Sequence, residues 1–189
     1  MFEFKRRTLG IGFGLVMMAI LAMGSASIAF ADGPVVTANL GAGTLSETSG
    51  VLTWTTPVTA LTGAAQDAVY TFPITVDDAT GSALGWNLTI TSTTFTGASH
   101  ALAAGASTIS GVAITPGTGT APLASTVSPV TYVMGLPGAS ATAVRFFSAQ
   151  ANSGMGSSTI TPTVHIAIPA DAFADTYVST ITVASVSAP

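Results

Sequence analysis

Cysteine is absent from the 189 residues, which excludes disulfide staples, thiolate metal sites and a lipid-modified N-terminal cysteine. Positive charge is nearly as scarce: Lys5, Arg6 and Arg7 stand at the N-terminus, and after them Arg145 is alone against Asp32, Glu47, Asp67, Asp77, Asp78, Asp171 and Asp175. Phosphate neutralisation needs lysine and arginine, so nucleic acid is excluded as a partner, and a basic grip on an anionic wall polymer is equally unavailable. Affinity for such a polymer must come from stacking, hydrogen bonding or a bridging divalent cation. The chain also has no Gly-x-Ser-x-Gly elbow and no lysine after Lys5. Without a nucleophile held beside a base there is no constellation from which to argue catalysis, and the chain reads as a non-enzyme without a cofactor.

What is present begins with an export pattern. Lys5, Arg6 and Arg7 precede an apolar stretch from Leu9 to about Met23, followed by Ala29-Phe30-Ala31. A basic start, a short hydrophobic run and a small-x-small site predict a secretory signal over residues 1–31, cleaved between Ala31 and Asp32. Gly10, Gly12, Gly14 and Gly24 interrupt the run, which is short for a membrane span of about 20 apolar residues. No linker divides residues 32–189, and this length suits one domain with a single core.

The rest alternates short apolar runs with Gly, Pro and Ser punctuation. Trp86, Leu88 and Ile90 share one parity and Asn87, Thr89 and Thr91 the other, so a period of two predicts a half-buried strand from Gly85 to Phe95. Tyr70, Phe72, Ile74 and Val76 repeat the pattern within a predicted strand from Ala68 to Val76. The turn-rich run Asp77 to Ser82 is expected to join these two as an antiparallel pair. Further strands are predicted at Val35–Leu40, Val51–Thr55, Thr108–Thr115, Val127–Met134, Ala141–Phe147, Thr159–Ile168 and Thr176–Val186. Ala98–Ala106 reads as a loop, Pro116-Gly117-Thr118-Gly119 as a turn, and Asn152–Ser157 as a flexible loop. Pro73, Pro129 and Pro162 fall inside predicted strands and are expected at edges or bulges, where a missing N–H is tolerated. About nine short strands predict an all-β fold, an antiparallel β-sandwich or flattened barrel.

Two segments carry a family resemblance. Trp86-Asn87-Leu88, together with the terminal run of Tyr177, Thr180, Ile181, Thr182 and Pro189, resembles the WxL-type cell-surface domain of Gram-positive bacteria. Its signatures are a Trp-x-Leu and a terminal Tyr-x-x-Thr-Leu-Thr-Trp segment ending near a proline. Ile181 stands for the family's leucine and Val183 for its second tryptophan, and the next apolar position is shifted to Val186. The resemblance implies a single β-sandwich domain over 32–189 and non-covalent association with peptidoglycan or another cell-wall glycan after export. It implies no enzyme activity. Trp86, Leu88, Tyr177, Thr180 and Thr182 are the positions it marks for ligand binding.

Each candidate also has a plainer reading. Trp86 and Trp54 offer faces on which sugar rings stack, yet both lie in phase with apolar strand residues and read as core; Tyr70 and Tyr177 read the same way. Asp77 and Asp78 supply oxygens suited to calcium but sit where Asp forms turns. Asp171 and Asp175 would share a face if 169–175 formed a helical turn. His100 and His165 have no sequence neighbour at metal-ligand spacing, and Arg145 reads as a member of a surface ion pair. Asn87-Leu88-Thr89 is a formal glycosylation sequon placed inside a predicted strand.

Besides wall attachment, two other functions fit the sequence. One is self-assembly with copies of itself or other surface proteins by edge-strand exchange, because no lysine is available to guard the edges. The other is a secreted carbohydrate-binding adhesin module.

Overall fold

A computed structural model describes residues 37–103, 105–123, 132–134 and 143–187. The export segment 1–31, Pro129 and Pro189 lie outside these, as do most of the strand predicted at Val127–Met134 and the first residues of that predicted at Val35–Leu40. The chain divides into two compact units, Met1–Leu40 and Gly41–Pro189. Of the first, only 37–40 are described, and they form no strand.

The second unit is all-β. Its strands are β1 (Leu45–Ser49), β2 (Thr53–Thr56), β3 (Gln66–Thr71), β4 (Ile74–Asp78), β5 (Trp86–Ser92), β6 (Ser107–Gly119), β7 (Tyr132–Met134), β8 (Val144–Ala149), β9 (Gly156–Ile168) and β10 (Ile181–Ser187). No described residue is helical. A 7-stranded sheet runs β1-β4-β9-β3-β2 with β6 and β7 added from β9, and a 3-stranded sheet runs β10-β5-β8. All pairings are antiparallel. Tyr70, Phe72, Ile74 and Val76 from the larger sheet and Trp86, Leu88, Ile90 and Phe147 from the smaller form one buried cluster. Their period-two alternation sets which face of each sheet turns inward, and the fold is the expected antiparallel sandwich.

β9 is its spine. β3 pairs with Thr163–Ile168 and β4 with Gly156–Ile160, so two strands lie end to end along one edge of β9 while β6 follows the other. The break between them falls at Phe72-Pro73. A proline cannot donate to a ladder, which is why the strand predicted as continuous from Ala68 to Val76 divides there. Pro162, expected at an edge, is instead buried within the central strand. In register it lies opposite the Phe72-Pro73 break, where the neighbouring ladder is already interrupted.

The predicted β4–β5 hairpin does not form. β4 pairs with β1 and β9, β5 with β10 and β8, so the Asp77–Ser82 run carries the chain from one sheet to the other. Asp78 organises that crossover, its Oδ1 accepting from Thr80 N at 3.0 Å and from Thr80 Oγ1 at 2.7 Å, a side-chain turn of the kind Asp favours. The turn predicted at Pro116–Gly119 is also absent. β6 runs through it as far as Gly119, with a register shift between Pro116 and Gly119 opposite Ser158 and Gly156; pairing with the long β9 overrides the local turn signal. Residues 98–103, 105 and 106 form the expected loop, with one isolated bridge from Ala101 to Thr96. β1 falls between the strands predicted at Val35–Leu40 and Val51–Thr55, where none is expected.

Candidate functional site

The Trp-x-Leu motif lies in the core. Trp86 and Leu88 are each 0% exposed. The Trp86 indole packs against Phe147 with ring centroids 5.3 Å apart and donates from Nε1 to Gly154 O at 2.9 Å. Burying a tryptophan without a partner for its N–H is costly, and the 152–154 turn supplies that partner. Gly154 has φ of 73°, and a Cβ there would come within 2.7 Å of Nε1. The segment read as a flexible loop is therefore the cap of the motif tryptophan. With no exposed surface, Trp86 and Leu88 present no stacking platform to a ligand in this conformation. Asn87 is buried as well, so the folded domain does not offer the sequon for modification.

The terminal motif is the neighbour of the first. β10 pairs with β5 so that Val183 faces Ile90, Ser185 faces Leu88 and Ser187 faces Trp86. Two signatures distant in sequence thus form one ladder. Ile181 and Val183 turn toward the core and pack against it, while Thr180 and Thr182 are exposed. The chain just before β10 stays hooked to the end of β5: Thr180 N donates to Thr93 Oγ1 at 2.8 Å, and Thr96 and Val178 exchange backbone bonds of 3.0 Å.

Beyond that hook, the 54–61, 95–102 and 172–177 segments enclose a groove of about 470 Å³ at one end of the sandwich. Val58, Leu61, Phe95, Leu102, Ile168 and Tyr177 are among its walls. Tyr177 is half-buried and its hydroxyl donates to Phe173 O at 2.9 Å. Two aromatic faces reach solvent. Trp54, read from the sequence as core, is 48% exposed because β2 is an edge strand, and its ring meets Tyr70 edge-on at 5.3 Å. Phe173, 60% exposed, stacks on His100 at 4.0 Å and 14°.

Asp175 supplies the groove's charge. Its carboxylate accepts from Ser99 N at 3.3 Å and Thr176 N at 2.8 Å, and these backbone donors, that of Ser99 first, hold its pKa below the ordinary carboxylate value. His100 Nδ1 lies 3.7 Å from the same carboxylate. The helical turn that would have paired Asp171 with Asp175 is absent; Asp175 turns instead to the 97–100 loop. His165 Nδ1 lies 2.5 Å from Asp67 Oδ2 on adjacent strands β9 and β3. Both histidines therefore have an acidic neighbour that only the fold brings close. Arg145 is exposed on β8, opposite Thr89.

Of the predicted site residues, only Tyr177 lines the groove; Thr180 lies just past it, Thr182 on the outer face of β10, and Trp86 and Leu88 inside. Sequence reasoning missed Phe173, Phe95, His100 as a ring partner and Leu61. Phe173 carried a usable signal, a large apolar residue in a stretch with no strand pattern to bury it.

Residues 35–184 match the family model described as WxL domain surface cell wall-binding. No curated protein and no solved structure matches the chain.

Proposed function

The chain belongs to the WxL-domain family of surface cell wall-binding domains, and from that premise we propose that it is held non-covalently on peptidoglycan through the groove between Trp54 and Phe173. The observation that carries this reading is two large solvent-exposed aromatic rings, Trp54 and Phe173, among the residues that line one concave, largely apolar site. Exposed aromatics around a pocket with a few fixed polar groups are how proteins hold small repeating ligands. Tyr177 contributes its ring to the wall of the groove, and Thr180 and Thr182 extend a polar surface from its rim. Trp86 and Leu88 serve the same function at one remove, by fixing β5 and with it the hook that positions the 172–180 segment. The protein acts as a binding module without catalysis, reaching the surface by export and cleavage after Ala31.

Sedimentation of residues 32–189 with purified Gram-positive peptidoglycan tests the proposal, run beside Trp54→Ala checked for folding by circular dichroism. Co-sedimentation of the wild type and its loss in the folded variant are expected. A wild type that stays in the supernatant at every salt and calcium concentration would overturn the reading.

Self-association has one specific observation in its favour. β2 leaves its outer edge unpaired among the described residues, and Thr53–Thr56 are all exposed and carry no charge, conditions under which edges recruit further strands. Light scattering at high protein concentration that finds only monomer would remove this second reading.

A further inference from the structure

A groove with apolar walls and a single carboxylate has a definite chemical complement. Among the described residues, Asp175 is the only charged side chain that lines it. Val58, Leu61, Phe95, Leu102 and Ile168 offer hydrocarbon, and the neutral polar side-chain groups among the described lining are few for a sugar's hydroxyls: the Trp54 N–H, the Thr59 hydroxyl and the Tyr177 hydroxyl, which already donates to Phe173 O. An anionic polymer would meet the carboxylate with no Lys or Arg among the described lining residues to offset it, the nearest basic group being the His100 ring at 3.7 Å. Trp54 and Phe173 present faces whose quadrupole attracts cations. The carboxylate itself is held in place by Ser99 N and Thr176 N, so a ligand does not have to order it.

We propose that the groove takes an alkylammonium chain, with the aliphatic stem along the apolar walls and the ammonium at Asp175, as carried by a diamino acid in the peptide portion of peptidoglycan. Such side chains bury a hydrocarbon stem while keeping a charged tip against a polar partner, which is the distribution of surface this groove offers. The inference rests on the wall-binding reading and narrows it: the recognised moiety is a peptide amine, not a sugar ring.

The test follows Trp emission of the protein titrated with Nα-acetyl-lysine methylamide. Nα-acetyl-norleucine methylamide, which keeps the stem without the ammonium, and glucosamine, which has an amine without the stem, are compared with it. The lysine probe is expected to bind at least about tenfold more tightly than either. Asp175→Asn keeps the side chain's size and an acceptor oxygen for one of its two backbone donors, and it is expected to erase the preference over norleucine in a variant checked for folding. Equal affinity for lysine and norleucine probes overturns the proposal without recourse to any variant, as does a preference for glucosamine or a lysine preference that survives in folded Asp175→Asn. Peptidoglycan whose free amines have been acetylated separates the two readings. Retention on native but not acetylated material supports both, and equal retention on the two sinks the ammonium site while the wall-binding reading stands. Selective lysine binding without retention on native peptidoglycan supports the ammonium site and sinks the wall-binding reading.

Discussion

The two tryptophans carry similar local patterns and meet opposite fates. Trp54 sits two residues from Leu52 and Trp86 two from Leu88, each in phase with an apolar neighbour in the sequence. Trp86 is fully buried because β5 has a partner on both edges, β10 and β8, and faces the larger sheet. Trp54 is half-exposed because β2 has a partner only in β3. The order of strands in the sheet, which period-two patterning does not encode, decides which aromatic stabilises the domain and which is free to touch something else.

The largest effect that sharpens this contrast is Trp86→Ala. Removing a buried indole loses its transfer free energy, leaves a cavity against Phe147 and strands Gly154 O, for a cost of about 3–5 kcal/mol in a denaturant melt. That is a large part of the stability of an ordinary domain. A loss below about 1 kcal/mol would mean that the motif tryptophan is not the pivot described here.

Tyr70, the buried ring that Trp54 covers, gives the next. Burial pushes its phenol up to about 12 from the ordinary tyrosine value of 10.0. The folded pKa is raised, so the stabilisation is complete below pH 10 and is lost as pH rises through 12, because only the unfolded chain ionises freely in that window. About 2–3 kcal/mol is expected to disappear between these limits, measured as the fall in unfolding free energy. Trp54→Ala should open the ring to water and bring its spectrophotometric titration down toward 10.0.

Gly154→Ala probes the cap of Trp86. Its positive φ and the approach of Nε1 both oppose a side chain, and a loss of about 1–2 kcal/mol is expected in thermal or denaturant melts. An unchanged melting midpoint would show that the 152–154 turn does not hold the indole.

Local pattern revealed the core and hid the connections. Trp86, Leu88, Ile90, Tyr70 and Val76 declared their burial by parity, since a strand's alternation depends only on neighbouring residues. The partner of β4 did not, because the same Asp-rich turn serves a hairpin or a crossover between sheets; what decides is β9, whose length lets it hold β3 and β4 end to end. Pro116 and Gly117 gave a correct local signal that long pairing overrode. The groove was the least legible feature. Asp175 and His100 are far apart in sequence, and Phe173 lies in a stretch with no period at all, so only closure of the sandwich brings them together.

Trp54→Ala has the smallest effect on stability and the most to say about function. Its ring buries only part of its area, and the edge-on contact with Tyr70 is worth about 0.5–1.5 kcal/mol beyond that area. A shift in unfolding free energy of about 1 kcal/mol is therefore expected, with a folded and monodisperse product. Retention on peptidoglycan should fall in the same protein, since one of the two exposed aromatic rings lining the groove is gone. If stability and retention both hardly change, the groove's edge on β2 is idle and the binding surface lies on the Phe173 side. If stability falls as far as for Trp86→Ala, the two tryptophans are not a core residue and a surface residue but two parts of one core, and the contrast between them fails.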